Sequence, residues 1–240
     1  MIDWLKRSAV EPEIELNGHT VPVSLRRHRT AKRLTLRLAP DGSEVRVTLP
    51  NWARSQEAIA FAHARQDWLA EQHAKVPQRC EFGLYSEVSY RGLTLALDWN
   101  DEAPRRPSLQ SQKLCLGGPI DGIENRVKRW LEAEALRSFK ADMEDYTSAA
   151  TLAPVPVALS RAQRRWGSCS DKQRIRLNWR LIQAPDFVRR SVVAHEVAHL
   201  VHFDHSPAFH ALLGEIYEDD INRADNWLKN NGRSLYTSFG

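Results

Sequence analysis

Five histidines and one glutamate are concentrated in residues 192 to 210, "VVAHEVAHLVHFDHSPAFH", among apolar and small residues. The tightest unit is the pattern H-E-x-x-H, formed by His195, Glu196 and His199. Residues four apart on a helix are about 40° apart around its axis and roughly one turn apart along it, so both imidazoles can reach one metal ion. Glu196 is about 100° around the axis from His195, which places its carboxylate near a water molecule at the metal. The pattern therefore predicts a metal site with a general base.

A third metal ligand must come from outside this pattern, since catalytic zinc sites use three protein ligands with zinc–nitrogen distances of about 2.0 to 2.1 Å. His202 is seven residues after His195 and would lie about 10 Å further along a straight helix, too far to converge with the pair. His205 follows a short segment in which the chain can turn back, and it directly precedes a Ser-Pro pair suited to start a new helix. We therefore predict that His205 completes the ligand set and that His210, inside the new helix, is an exposed or packing residue.

Acidic residues further along the chain are the alternative third ligand. In some metallopeptidases a glutamate about twenty residues after the second histidine binds the metal. By this spacing the candidates here are Glu215, Glu218 and Asp219. The spacing H-E-x-x-H-x5-H also occurs in metzincins, which have a glycine at the position of His202 and a methionine turn downstream. Both methionines of this chain precede the motif, so the metzincin interpretation fails.

Composition and charge decide little about function. The chain has 240 residues and a formal net charge of +4, which fits an ordinary globular protein with a mildly basic surface. Cys80, Cys115 and Cys169 are odd in number and contain no C-x-x-C pair, which argues against a disulfide scaffold or a cysteine zinc site. No apolar run is long enough for a membrane helix, and the N-terminus has no signal-peptide pattern. We expect a cytoplasmic protein that does not enter the membrane.

The elements that must position the metal site are strands followed by helices. Residues 13 to 49 alternate apolar and polar positions between turn signals and predict a small antiparallel sheet, and residues 55 to 75 predict one amphipathic helix. Further strands are predicted in "VSYRG", "LTLALDW" and "KLCLGG", a long helix over residues 121 to 147, and strands near 155 to 160 and 174 to 179. The motif helix is predicted to begin with Asp186 as its N-cap. The fold class is therefore α+β, with a β-rich N-terminal domain at residues 1 to 118 and the metal domain at 119 to 240.

The order of "RRWGSCS", "RIRLNWRLIQAP" and "VVAHEVAHLVHFDHSPAF" closely resembles the YgjP-like metallopeptidase family, which is related to SprT-like proteases and more distantly to minimal gluzincin domains. The arginine-rich "LRRHRTAKRLTLRL" extends the resemblance over most of the chain. It implies a minimal zincin-type metallopeptidase domain with one zinc ion on His195, His199 and His205 and with Glu196 as the catalytic acid. It also implies that the strand "RIRLNW" borders the active cleft, with "WGSCS" at the preceding turn.

Substrate contacts are the least defined part of the prediction. Arg165, Trp166 and Ser168 are candidates by their place beside that strand, although Trp166 can equally fill the core and Gly167 can equally serve a turn. Arg165 and Tyr217 are candidates for a second donor to the oxyanion. A peptide could add as a strand against residues 174 to 179, which would give main-chain binding with weak side-chain specificity.

Three functions fit these residues. The first is zinc-dependent hydrolysis of peptide bonds in a protein or peptide substrate, with Glu196 moving the proton of the attacking water. The second is hydrolysis of a nucleoside triphosphate to monophosphate and pyrophosphate, a UTP pyrophosphatase-like activity that has been associated with YgjP-like proteins, although no glycine-rich phosphate loop is present. The third is a noncatalytic zinc module that binds nucleic acid. The last two would use the basic N-terminal strands, whose candidate residues are Arg26, Arg27, Arg29, Lys32, Arg33 and Arg37.

Overall fold

The computed structural model describes residues 12–76, 82–84 and 86–239. Contacts divide the chain into two compact units, residues 1–78 and 79–240. The predicted boundary after residue 118 falls inside the second unit, because the strands of residues 87–116 and the helix that follows them bury their side chains in one core. The fold is α+β, as predicted, with sheets early in the chain followed by helices.

The first unit contains a four-stranded sheet. Its strands are β1 (Glu13–Leu16), β2 (His19–Arg27), β3 (Thr35–Leu38) and β4 (Val45–Leu49), in the order β1-β2-β4-β3. The two hairpins are antiparallel, but the central strands β2 and β4 run parallel, so the sheet is mixed rather than antiparallel as predicted. The central pair carries the buried valines of the core, which pack against buried alanines of the helix at residues 55–63.

Two short helices, α1 (Ser55–His63) and α2 (Gln66–Ala74), replace the single helix predicted over residues 55 to 75. The break lets α1 pack on the central strands β2 and β4 while α2 packs on the outer strands β1 and β3. Leu69 is buried in this packing, whereas Trp68, which the helical pattern placed on the apolar face, is 44% exposed.

The second unit begins with a sheet of the same topology. Its strands are β5 (Glu87–Tyr90), β6 (Leu93–Trp99), β7 (Ser108–Gln110) and β8 (Lys113–Leu116), in the order β5-β6-β8-β7 with β6 and β8 parallel. In both sheets the first hairpin turns on two residues with positive φ, Asn17-Gly18 and Arg91-Gly92, as a type I′ turn requires. The arrangement is thus repeated although no repeat is visible in the sequence.

The remainder of the second unit carries the motif. Its elements are α3 (Ile123–Ala149), β9 (Val157–Ser160), β10 (Gly167–Cys169), β11 (Ile175–Asn178), a 3-10 helix (Trp179–Gln183), α4 (Asp186–Ala198), α5 (Pro207–Ile216), α6 (Ile221–Asn231) and a second 3-10 helix (Ser234–Tyr236). Strand β11 lies between β10, which is antiparallel to it, and β9, which is parallel. Both α3 and the 3-10 helix at 179–183 pack against α4, so the motif helix has a largely buried surface.

The motif helix is fixed to its neighbours by ion pairs. Arg189 on α4 donates to Asp142 on α3 at 2.7 Å, and both side chains are about 5% exposed or less. Asp186 accepts from Arg91 in the β5–β6 turn at 2.9 Å instead of capping its own helix, so the N-cap prediction for Asp186 is wrong and Pro185 holds that position. These contacts set the direction in which α4 delivers its C-terminal histidines.

None of the helices that the structure describes is long and apolar enough to cross a bilayer. Cys115 and Cys169 are half-buried free thiols, and Cys80 lies outside the described residues. The cytoplasmic location remains a prediction.

Candidate metal centre

Three imidazoles converge where α4 ends. The Nε2 atom of His195 lies 3.1 Å from Nε2 of His199 and 3.3 Å from Nε2 of His205. His195 lies in the last turn of α4, and His199 is the residue at which the helix ends. The chain then turns back over residues 200–206, as predicted, and carries His205 to the pair. A ligand nitrogen of each residue lies within 4.8 Å of the others.

These distances fit a tetrahedral zinc site. With zinc–nitrogen bonds of about 2.0 to 2.1 Å, two ligands of a tetrahedron are about 3.3 Å apart. The two closest nitrogen pairs, at 3.1 and 3.3 Å, agree with that separation. A set of imidazoles without carboxylates also suits zinc better than magnesium or calcium.

The histidines are oriented by their surroundings. His199 Nδ1 lies 3.0 Å from the carbonyl oxygen of His202, and donation to this acceptor leaves Nε2 with the lone pair that a metal binds. The fully buried ring of Phe209, on α5, contacts all three imidazoles, with centroids 4.6 to 5.0 Å away. Ser206 caps α5 by accepting from the Phe209 N–H, which fixes the position of that ring. Sequence reasoning missed Phe209, whose only signal was its place one turn into the new helix.

Burial and neighbouring rings keep the imidazole of His195 neutral. Burial and the nearby rings of His199, His205 and His210 lower the pKa of His195 to about 4. A neutral imidazole is the form that binds a metal.

Glu196 lies beside the triad without joining it. Its side chain is buried, with 6% exposure, and its Oε2 atom has no hydrogen-bond partner among the described residues. The Cys169 N–H donates to the carboxylate, and the positive charge of Arg165 lies near it. Burial raises the pKa of Glu196 to about 7 despite these two partners, so the carboxyl can both accept and deliver a proton near neutrality.

Gly167 allows Glu196 to adopt this position. A Cβ atom at Gly167 would lie 2.7 Å from both Cγ and Cδ of Glu196 and still closer to Oε1. The sequence suggested that this glycine serves a turn, but it is part of strand β10. Because it has no side chain, the Glu196 carboxylate can approach the strand closely.

Strand β10 is the edge of the sheet nearest to Glu196. The predicted edge at residues 174 to 179 is wrong, because β11 is the central strand. Backbone hydrogen bonds join the residue pairs 166/178 and 170/174 across the hairpin. In an antiparallel ladder, every second residue directs its backbone N–H and C=O groups away from the partner strand. Gly167 and Cys169 are such residues, so their backbone groups point away from β11. The hydrogen bond from the Cys169 N–H to Glu196 agrees with this direction.

A family model for the YgjP-like metallopeptidase domain matches residues 32–231 of this chain. The chain belongs to the YgjP-like family. No curated protein and no solved structure matches it in the other two comparisons. The resemblance drawn from the sequence motifs is thereby confirmed, and the YgjP-like chain is a metallopeptidase-family protein.

Of the predicted substrate residues, the structure brings Arg165 and Ser168 to the vicinity of Glu196 and leaves the other two elsewhere. Arg165 and Ser168 line one cavity beside β10. Trp166 is half-buried and packs against the Tyr236 ring, with centroids 5.8 Å apart, as a core residue would. Tyr217 is 5% exposed and donates its hydroxyl hydrogen to the Phe187 carbonyl at 2.7 Å. Phe187 lies at the opposite end of α4 from the histidines, so Tyr217 does not serve as an oxyanion donor.

Two of the three acidic alternatives for the third ligand are engaged in other contacts in the YgjP-like chain. Glu218 accepts hydrogen bonds from Arg190 and Tyr146, and Asp219 forms an ion pair with Arg223. Glu215 is exposed on α5. Among the described residues, the only group of histidines, cysteines and acids that could share a metal ion is the histidine triad.

Only part of the basic N-terminal run lies on strands, where Arg26 on β2 and Arg37 on β3 share the exposed face of the sheet. Arg27, at the end of β2, donates to the carbonyls of Asn51 and Ala53 and so supports the chain before α1. Residues 29 to 33 lie between strands, and Arg37 is exposed on β3. The prediction of a phosphate or nucleic-acid surface there has no support from this arrangement.

Proposed function

We propose that this YgjP-like protein is a zinc-dependent peptidase that binds one zinc ion through His195, His199 and His205 and uses Glu196 as its general base. The observation that carries the proposal is the convergence of three imidazoles, in which Nε2 of His195 is at tetrahedral spacing from Nε2 of His199 and of His205. Beside them is a buried Glu196 oxygen that has no hydrogen-bond partner among the described residues.

The reaction needs only groups that this site holds together. His195, His199 and His205 would hold the zinc ion, which would supply a Lewis acid for the scissile carbonyl and for the attacking water. The Glu196 carboxylate accepts the proton of the attacking water and then delivers it to the leaving nitrogen. The Cys169 N–H and the charge of Arg165 hold the carboxylate in place. Arg165 is also the remaining candidate for a second oxyanion donor.

The substrate is proposed to bind as an added strand on β10. The outward-pointing backbone groups of Gly167 and the Cys169 carbonyl are available to a peptide, whereas the Cys169 N–H is used by Glu196, the proposed base. Main-chain pairing of this kind aligns a scissile bond with little dependence on the peptide's sequence.

Hydrolysis of nucleoside triphosphates is the second candidate. One observation favours it, since Arg161, Arg165 and Arg176 line a cavity that could accept phosphates near Glu196. The ligand set argues against it, because enzymes of nucleotide phosphates usually hold magnesium through carboxylates. A noncatalytic nucleic-acid module is disfavoured by the buried Glu196, which such a module would not need.

The two enzyme activities are separable in one experiment. Purified, zinc-loaded protein is incubated with denatured proteins and, separately, with nucleoside triphosphates, and the Glu196→Gln variant serves as the control. Peptide products from the wild type but not from the variant support the proposal. Release of pyrophosphate without peptide products would replace it with the nucleotide reaction, and no product of either kind would favour the noncatalytic module.

A further inference from the structure

A positively charged cavity of about 500 Å³ lies on the sheet beside the candidate site. It is lined by Glu132, Leu159, Ser160, Arg161, Ala162, Arg165, Ser168 and Arg176. Arg161 forms an ion pair with Glu132 at 2.9 Å, so the charges of these two residues cancel. Within the described ranges, neither Arg165 nor Arg176 forms an ion pair, so the cavity keeps a net positive charge.

The cavity lies on a defined face of the sheet. Ser168 on β10 pairs with Arg176 on β11, and paired residues of neighbouring strands project from the same face. The neighbouring pair, Gly167 and Leu177, faces the other way, toward the core and Glu196. The exposed Arg176 therefore extends over the open face of the sheet, and Ser168 is the small residue between it and the edge.

An added strand would direct one of its side chains toward this face. The backbone N–H and C=O groups of Ser168 point toward β11. A substrate residue opposite Ser168 would therefore form a non-hydrogen-bonded pair with it, and in such pairs the side chains lie closest together. Two strand spacings, about 9.6 Å, separate that residue from Arg176. A long guanidinium side chain and an acidic side chain can meet across the small Ser168.

We propose that this cavity is a specificity subsite for an acidic side chain, carried by the substrate residue that pairs with Ser168. The inference rests on the proposed function, since it assumes a peptide strand on β10. Arg176 supplies the free charge across the sheet. Arg165 lies at the end of the cavity near Glu196, whose negative charge partly offsets it. A carboxylate is the complementary group, because a guanidinium donates two parallel hydrogen bonds to it.

A second cavity extends the same surface along α3. It shares Glu132 and Arg161 with the first and is also lined by Lys128 and Arg129. The positive charge beside the sheet thus continues beyond the first cavity toward α3.

Binding tests the subsite separately from catalysis. Zinc-loaded Glu196→Gln protein is titrated with a fluorescent acidic peptide and with the same peptide in which every Glu is Gln. The expected result is about fivefold tighter binding of the acidic peptide, which is the upper range for exposed ion pairs, and a loss of this preference at high salt. Arg176→Glu in the same background should abolish or invert the preference, while Lys229→Glu, an exposed change of equal charge on α6, should keep it.

Cleavage specificity provides the second readout. The zinc-loaded wild type and Arg176→Glu proteins are given a peptide library, and the cut sites are mapped by mass spectrometry. An acidic residue enriched at one fixed distance from the cut in the wild type, and lost in Arg176→Glu, supports the subsite. Cleavage with no acidic preference, or a preference that survives Arg176→Glu, overturns the subsite but not the peptidase function.

Two other outcomes are informative. Acid-dependent peptide binding without any cleavage would overturn the peptidase function and leave an acidic-peptide binding site. Tight binding of a single-stranded oligonucleotide that Arg176→Glu abolishes, with no discrimination between the two peptides, would overturn the proposal in favour of a nucleic-acid surface.

Discussion

At the scale of single residues, the site depends on the fit of side chains around Glu196 and the three imidazoles. Glu196 is buried against Gly167, and the imidazoles are packed against Phe209. The first contact keeps a carboxyl with a pKa of about 7 close to the position where a peptide would react. The second contact holds the three imidazoles at their spacing.

Gly167→Ala should displace the Glu196 carboxylate, because the new Cβ would overlap it. Overpacking of this kind costs about 1 to 3 kcal/mol of stability. The free energy of unfolding is measured for Gly167→Ala in the wild type and in a Glu196→Ala background, where the carboxylate is gone. An equal cost in both backgrounds would show that the glycine serves the backbone instead.

His205→Ala should lose the bound zinc, since two imidazoles alone leave the ion weakly held. His202→Ala and His210→Ala are the matched controls, because His202 contributes only its backbone carbonyl and His210 lies outside the triad. Zinc content is measured by elemental analysis. Full zinc in His205→Ala would refute the ligand assignment.

At the scale of elements, α4 is held in place by charges at its first turns. Arg189 bonds to Asp142 with both groups buried, and Arg190 bonds to Asp142, Asp145 and Glu218. The helix thus connects α3 to the start of α6 at one end and delivers the histidines at the other. Its orientation is set far from the metal.

Asp142→Asn should destabilise the protein by about 3 kcal/mol, because it leaves Arg189 as a buried cation with weakened pairing. The exposed pair of Asp219 and Arg223 gives the control, and Asp219→Asn should cost about 1 kcal/mol or less. Chemical denaturation measures both. Equal effects would mean that the buried pair is not what fixes α4.

Acid should weaken the ion pairs that hold α4 in place. Burial raises the pKa of Asp186, but hydrogen bonds from Arg91 and the charge of Arg189 outweigh it and leave the pKa below the ordinary value. The pKa of Glu218 is lowered in the same way, by Arg190 and Tyr146 against the effect of burial. A lowered folded-state pKa gives stability that is present above about pH 4 and is lost as the pH falls further.

The melting temperature of wild type and Asp186→Asn, measured from pH 7 to pH 3, checks this linkage. The difference between them should shrink as the pH falls below about 4, where the wild-type carboxyl is protonated as well. A difference that stays constant over this range would exclude Asp186 as a contributor to the acid sensitivity.

At the scale of the whole molecule, the order of elements and the convergence of the three histidines could be predicted from the sequence. The H-E-x-x-H spacing and the Ser-Pro helix start are local signals, and α4, the turn and α5 follow them. The mixed sheets could not be predicted, since the alternation of apolar residues is the same in parallel and antiparallel strands. The division at residue 78 was missed for a related reason, because a sequence does not show which core a strand joins.

The details of the active cleft were also beyond local signals. The short "GSC" strand has too few residues to show a pattern, yet it forms the edge beside Glu196. Tyr217 looked like an oxyanion donor by its type and position, but its hydroxyl is used by a backbone carbonyl thirty residues earlier in the chain. Such pairings depend on tertiary contacts.

We propose that Glu196 moves the proton in peptide hydrolysis and does not help to bind the zinc ion. Glu196→Gln keeps the size of the side chain but cannot accept a proton, and loss of a general base lowers the rate about 10²- to 10⁴-fold. Zinc content and the rate of peptide cleavage are measured side by side for wild type and Glu196→Gln. We expect one zinc per chain in both proteins and loss of cleavage in the variant. A zinc-loaded variant that cleaves at the wild-type rate would contradict the function of Glu196 as the general base.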